Sequence, residues 1–254
     1  MRNIRLLIAY DGADFHGWQR QPHARSIQEE LEAKIAQITG SRVALHASGR
    51  TDAGVHASGQ VANFRTECPI PCEGLAKALN DVLPPAIRVR HAEDVPSSFH
   101  ARYRAKSKTY RYRILQTAIC PPFLARYVYH HPYPLDWCRM AKAARLFEGE
   151  HDFTSFAGDD HSEETIRKDS ENSNVRRIFS SRLELREKLA LLVYEVRGSG
   201  FLHHMVRNIV GTLLEVGSGK RSPEDIPAIL EARDRSKAGP TAPANGLCLV
   251  KVEY

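Results

Sequence analysis

Strands and helices alternate along this chain, and the alternation predicts an α/β sheet with helices on one or both faces. Two observations carry the prediction. The first half reads strand, helix, strand, a glycine-bracketed loop, then strand, helix, strand. The second half reads helix, hairpin, helix and a final strand. The chain has 254 residues, enough for one large domain or two small ones sharing a core.

Residues 4–10 alternate as a first strand and meet the turn Asp11-Gly12. This apolar run is too short for a signal peptide, and no run reaches the length of a membrane span. Phe15-His16-Gly17-Trp18-Gln19-Arg20-Gln21-Pro22 is a loop, read either as surface with Trp18 tucked into the core or as an RNA-facing segment. Ser26 is an N-cap, and Glu29 stands where a capping box needs it. Ile27, Leu31, Ile35 and Ile38 then share a helix face that ends at Gly40. Val43-Ala44-Leu45 is strand-like, and residues 60–66 form a strand. Residues 72–83 read as a helix closed by Pro84-Pro85, and residues 86–92 as a strand.

Proline-rich residues 117–134 connect the halves. Leu135–Phe147 reads as a helix burying Trp137, Met140, Ala144 and Phe147. Residues 158–174 are polar, dense in charge and without an apolar period, so they read as a surface loop. Val175–Arg186 and Leu189–Arg197 alternate around Glu187-Lys188 as a hairpin. Phe201–Ser218 reads as a helix carrying His203, His204 and Arg207, and the chain closes on a strand from Leu247 to Tyr254.

The five cysteines are odd in number and irregularly spaced, which fits a reducing, cytoplasmic setting. Cys68 and Cys72 are the one close pair. No second pair at zinc-ligand spacing stands out, so a turn with buried thiols is the simpler reading. Likewise, His203 and His204 as helix neighbours would not converge on one ion.

Three stretches carry chemistry. The loop Gly49-Arg50-Thr51-Asp52-Ala53-Gly54-Val55-His56-Ala57 sets one carboxylate between two glycines. Asp52 there is a turn residue, a nucleophile, a general base or a metal ligand. Between Arg102 and Arg113 lie six Lys or Arg, three Tyr and no acid. On a strand over 107–115, Tyr110, Tyr112 and Ile114 share one face, and Thr109, Arg111 and Arg113 share the other. That mixture suits RNA, and equally a strand with its tyrosines in the core and its arginines in water. Arg207 sits among Met205, Val206, Ile209, Val210 and Leu213, and a partly buried arginine calls for a carboxylate partner. The net charge of +6 agrees with an acidic partner without requiring one.

These segments together resemble the TruA family of tRNA pseudouridine synthases. GRTDAGVHA matches its signature, and Gly17–Pro22, Lys108–Tyr112, Gly149–Phe156, Phe201–Gly211 and Gly239–Tyr254 match further motifs in the family's order. The resemblance implies an α+β fold: an extended mixed, largely antiparallel sheet of two ferredoxin-like or RRM-like halves flanked by helices, with a catalytic cleft between them. The expected halves are 1–105, carrying the aspartate loop, and 106–254, completing the site. It implies isomerisation of uridine to pseudouridine in the tRNA anticodon stem-loop, at positions 38, 39 and/or 40. Asp52 would be the nucleophile, Arg207 its ion-pair partner, and Tyr110 the ring against the extruded base. Arg50, His56, Arg111, Leu247 and Leu249 complete the substrate contacts expected here. Family resemblance further implies a homodimer acting on tRNA, with no membrane partner.

The reaction breaks an N-glycosidic bond, turns the uracil and joins C5 to the sugar. It has no redox change and consumes no water, so no cofactor and no metal is expected. A carboxylate with a reference pKa of about 3.9 is ionised at neutral pH, as a nucleophile must be. Attack at C1′, attack at uracil C6 and removal of a sugar proton all stay open. So do a non-catalytic RNA-binding or RNA-chaperone protein on the same fold and a metal-dependent hydrolase using Asp52, His56 and His46.

Overall fold

The computed structural model describes residues 1–158 and 174–254; most of the polar stretch 158–174 lies outside them. In chain order the strands and helices are β1 (Arg2–Tyr10), α1 (Ile27–Thr39), β2 (His46–Ala47), β3 (His56–Thr66), α2 (Cys72–Val82), β4 (Ile87–Val95), β5 (Ser107–Leu115), β6 (Tyr129–His130), α3 (Trp137–Arg145), β7 (Gly149–Asp152), β8 (Val175–Arg186), β9 (Leu191–Gly198), α4 (Met205–Gly217), α5 (Asp225–Ala232) and β10 (Leu247–Glu253). The chain divides into two compact units, 1–108 with 248–254, and 109–247. The boundary lies three residues beyond the one expected, and the last strand returns to the first unit.

In the first unit β1 pairs antiparallel with both β3 and β4, and the short β2 pairs antiparallel with β3. The order β4-β1-β3-β2 with helices after β1 and β3 is a split β-α-β, the ferredoxin-like arrangement. A strand–helix alternation thus produces antiparallel neighbours here, because each helix returns the chain beyond an adjacent strand. β10 adds a parallel contact at the start of β3, with Cys248 opposite His56 and Leu249 opposite Ala57. The strand expected at residues 43–45 forms instead at His46–Ala47, and β3 begins at His56 rather than residue 60.

The alternation of β1 buries Ile4, Leu6, Ile8 and Tyr10. Helix α1 meets this layer with Ile27, Leu31 and Ile35, and α2 with Leu75 and Leu79. Ser26 caps α1 as expected, its Oγ accepting from the Glu29 amide at 3.3 Å. Gly40 ends the helix in the left-handed region at φ 74°.

In the second unit the strand order is β5-β9-β8-β7, with β7–β8 and β8–β9 antiparallel. Helix α3 packs on β8 and α4, and α5 packs on the 3-10 turn at Thr154–Phe156. The core joins Met140, Phe147, Phe153, Phe156, Tyr194, Ile209, Leu213 and Ile226. Phe147 and Phe156 meet edge to face at 5.1 Å between ring centres. Trp137, expected inside, is 38% exposed, because α3 starts at that residue behind an Asp136 cap. Helix α4 starts at Met205, so His203 and His204 precede it and do not share its spacing. Their rings stack at 3.7 Å, and His204 takes a left-handed φ of 56°.

Taken together, the fold is α+β with a largely antiparallel sheet. One contact in the second unit tolerates no added atom. A Cβ on Gly211 would lie 1.6 Å from the Pro240 carbonyl oxygen. Gly211→Ala is expected to cost about 1–3 kcal/mol through backbone displacement, read as a lowered Tm in thermal unfolding.

Candidate active site

The Asp52 loop runs from the end of β2 to the start of β3 and rests on buried polar groups of the first unit. Ser48, Thr51, His56 and Gln60 are all nearly inaccessible. Such groups need partners, and here they have them. Ser48 Oγ donates to Gln60 Oε1 at 2.6 Å, and Gln60 Nε2 donates to the Gly49 carbonyl at 3.0 Å. Thr51 Oγ1 lies 2.8 Å from the Tyr10 hydroxyl. Burial pushes the Tyr10 hydroxyl well above its ordinary range, so it keeps its proton. A register shift between Ile8 and Tyr10 on β1 precedes this contact.

The N-terminal loop holds the same segment by its backbone. The Trp18 amide donates to the Thr51 carbonyl at 3.0 Å, and the Gly54 amide donates to the Phe15 carbonyl at 3.3 Å. Gly17 takes φ 90°, and a Cβ there would lie 2.6 Å from the Thr51 oxygen, so only glycine suits this approach. Trp18 is 2% exposed beside Tyr10, so its indole is a core group and not an RNA contact. Within the loop the Val55 amide closes a turn onto the Asp52 carbonyl at 3.1 Å. The Asp52 residue itself is half-buried. Its backbone is therefore fixed from both sides while part of the residue stays accessible.

The other expected residues of this unit fall in two places. Arg50 is exposed, and its Nε donates to Gln19 Oε1 at 3.1 Å. His56 is buried under the loop, where Nδ1 lies 3.1 Å from both the Gly12 amide nitrogen and Asp11 Oδ1. The amide wants a lone pair on Nδ1 and the carboxylate wants a proton there, so each tautomer of the ring serves one of them. His56, expected among the substrate contacts, thus lies buried in this structure beside Gly12 and Asp11. Leu249 on β10 is also buried, opposite Ala57.

In the second unit Tyr110 is 8% exposed and meets Phe201 edge to face at 5.0 Å. Its neighbour Tyr112 is fully buried and donates to the Pro243 carbonyl at 2.7 Å. The aromatic face of β5 is thus core at Tyr112. Arg111 forks onto Glu195 Oε2, with Nη2 at 2.7 Å and Nε at 3.1 Å. Leu247 is buried.

Arg207 sits in the first turns of α4, and its Nε donates to the Ala242 carbonyl at 2.8 Å. The Ala242 amide donates back to the Arg207 carbonyl at 3.1 Å. Two residues not expected from sequence finish this brace. Buried Asn208 donates to the Phe156 carbonyl and accepts from Arg235 Nη2 and Thr241 Oγ1. Buried Thr212 accepts from the Gly239 amide at 2.8 Å. Their sequence signal was polar residues on an otherwise apolar helix face, four positions apart.

The model of the family described as tRNA pseudouridine synthase matches residues 6–104 and 143–254. A relative from Solibacter usitatus (strain Ellin6076), named tRNA pseudouridine synthase A, is 53% identical over 256 residues, all of both chains. Relatives of the same name from Caldicellulosiruptor saccharolyticus and Acetivibrio thermocellus are 48% and 45% identical, again over all of both chains. No helix among the described residues is long and apolar enough to cross a membrane. With the match running through the aspartate loop, the Arg207 helix and the closing strand, the chain belongs to the tRNA pseudouridine synthase family, isomerases that convert uridine to pseudouridine.

Proposed function

We propose that this chain isomerises uridines of the tRNA anticodon stem-loop, at positions 38, 39 and/or 40, with Asp52 as the nucleophile. The observation that supports this most directly is the Asp52 loop. Its backbone is held by Thr51, Gly54 and Val55 contacts on a layer of satisfied buried polar groups. A carboxylate on so fixed a backbone meets its target at little orientational cost.

The step is an isomerisation. The bond from C1′ to N1 breaks, a bond from C1′ to C5 forms, the C5 hydrogen leaves to solvent, and N1 gains a proton. Nothing in it calls for a metal or a redox cofactor. The target uridine lies in a stem or loop and has to be extruded, which costs a few kcal/mol of unstacking. Exposed Arg50, steadied by Gln19, suits the vacated space or a nearby phosphate. Tyr110 is the ring for the extruded uracil and, through its hydroxyl, a group for proton transfer at C5. Arg207, braced on Ala242, is the counter-charge for Asp52.

With tRNA tritiated at uridine C5, the wild-type protein is expected to release tritium to water in the presence of EDTA. Asp52→Ala is expected to lose release by about a thousandfold or more while still binding tRNA. Equal binding with no release from either protein would leave an RNA-binding protein instead.

Tyr110→Phe keeps the ring and its edge contact with Phe201. It is expected to keep tRNA affinity and to lower the single-turnover rate about a hundredfold. An unchanged rate would confine Tyr110 to stacking. Arg207→Met is expected to lower kcat about tenfold to a hundredfold, and Arg50→Ala to lower turnover on folded tRNA. Wild-type kinetics in either variant would remove that residue from the scheme.

A further inference from the structure

In the first unit, the segment between β4 and β5 carries aromatic and basic residues that the scheme above does not use. Its backbone is unusually well held. Buried Asn63 of β3 accepts the Ala101 amide at 2.8 Å and donates to Asn3 Oδ1 at 2.9 Å. Asn3, also buried, donates to the carbonyls of Pro96 and Phe99, both at 3.0 Å. Arg65 donates to the Ser97 carbonyl at 3.1 Å, and the Tyr254 hydroxyl donates to the Ala101 carbonyl at 2.8 Å. Two buried amide side chains are thus committed to one connection, and Ala101 at its centre is fully buried.

The residues just beyond Ala101 face outward. The His100 ring lies 5.0 Å from His46 and 4.4 Å from Tyr103, with tilts of 36° and 33°. His46 stands on β2 directly opposite Asn63, so one residue of β3 supports both sides of this cluster. The Arg102 amide donates to His100 Nδ1 at 3.2 Å, and the Arg104 amide to the His100 carbonyl at 3.1 Å. Burial, helped by His46 and Arg102, holds the His100 imidazole below its ordinary range, which favours a neutral ring. Tyr103 is nevertheless 70% exposed, and Arg102, Arg104 and Lys106 around it are exposed too.

An exposed tyrosine alone is ordinary. A tyrosine seated against another ring, on a backbone pinned by buried amides and flanked by cations, is pre-organised for a flat anionic ligand. We propose that Tyr103, backed by His100 and His46, is a stacking platform for an unpaired base of the tRNA substrate, with Arg102 and Arg104 on the adjoining phosphates. An aromatic face takes any base, while guanidiniums supply the salt-dependent part of the affinity. Pre-organisation lowers the ordering cost that an exposed side chain otherwise brings to binding. Tyr103 is a positioning residue in this role. It rests on the reading of tRNA as substrate and adds a contact outside the reacting groups.

The test measures the Kd of an unmodified tRNA transcript over a range of salt, together with tritium release, for wild type, Tyr103→Ala, Tyr103→Phe and Tyr103→Trp. Tyr103→Ala is expected to raise Kd and KM about tenfold, with KM changing more than kcat. Phe and Trp are expected to restore binding, because the ring does the stacking. The salt slope should stay unchanged in Tyr103→Ala and fall by about one in Arg102→Ala and in Arg104→Ala. Wild-type affinity in Tyr103→Ala overturns the platform, and so does a Tyr103→Phe as weak as Ala. If wild type releases no tritium but the Tyr103 pattern in Kd holds, the isomerase scheme fails and the platform stands. Circular dichroism confirms that each variant is folded.

Discussion

The buried contact between Tyr10 and Thr51 is the constraint on which the first unit's site depends. Thr51 precedes Asp52 directly, and Tyr10 ends β1, a strand paired on both sides by β3 and β4. Burial keeps the tyrosine protonated, so the contact stays neutral and needs no counter-ion. Removing either hydroxyl would leave the other buried without it, a cost of about 1–3 kcal/mol. The loop geometry is thereby tied to the stability of the sheet. Gln60, bridging Ser48 and Gly49, holds the start of the same arm of the loop.

The second unit solves a related problem with a different device. There a helix must hold an arginine against a proline-rich segment whose backbone makes no ladder. Arg207, Asn208 and Thr212 face that segment, and each satisfies a backbone or side-chain group of residues 239–242. Gly211 lets the two backbones touch. Polar groups are costly inside an apolar helix face unless every one is partnered. Partnered, they leave the guanidinium of Arg207 a narrow range of positions.

Much of this was legible in sequence where a local rule applied. Ser26 and Gly40 bracket α1 because capping and left-handed backbone are local requirements. The strand 107–115 and the hairpin 175–197 follow from side-chain alternation. Where the outcome turned on distant partners, the local reading fell short. Trp18 is core because Tyr10 and the Thr51 backbone surround it. Trp137 lies outward because α3 begins at it. His203 and His204 are not helical neighbours, since His204 itself takes the left-handed conformation at the cap from which α4 starts. Helix α5, short and preceded by Ser222-Pro223, offered too few turns for a period to stand out.

The sequence by itself determined which residues are available for chemistry: the glycine-bracketed Asp52, the basic and aromatic run around Tyr110, and an arginine on an apolar helix. It did so because turn chemistry, periodicity and charge are written over a few neighbouring residues. Only the tertiary structure decided what each of them does in the fold. His56 became a buried neighbour of Gly12, Tyr112 a core residue, Arg111 a partner of Glu195, and Tyr103 an exposed ring on a pinned backbone. Those assignments rest on contacts between residues tens of positions apart, and burial, which sets the cost of every polar group, exists only once the chain has folded.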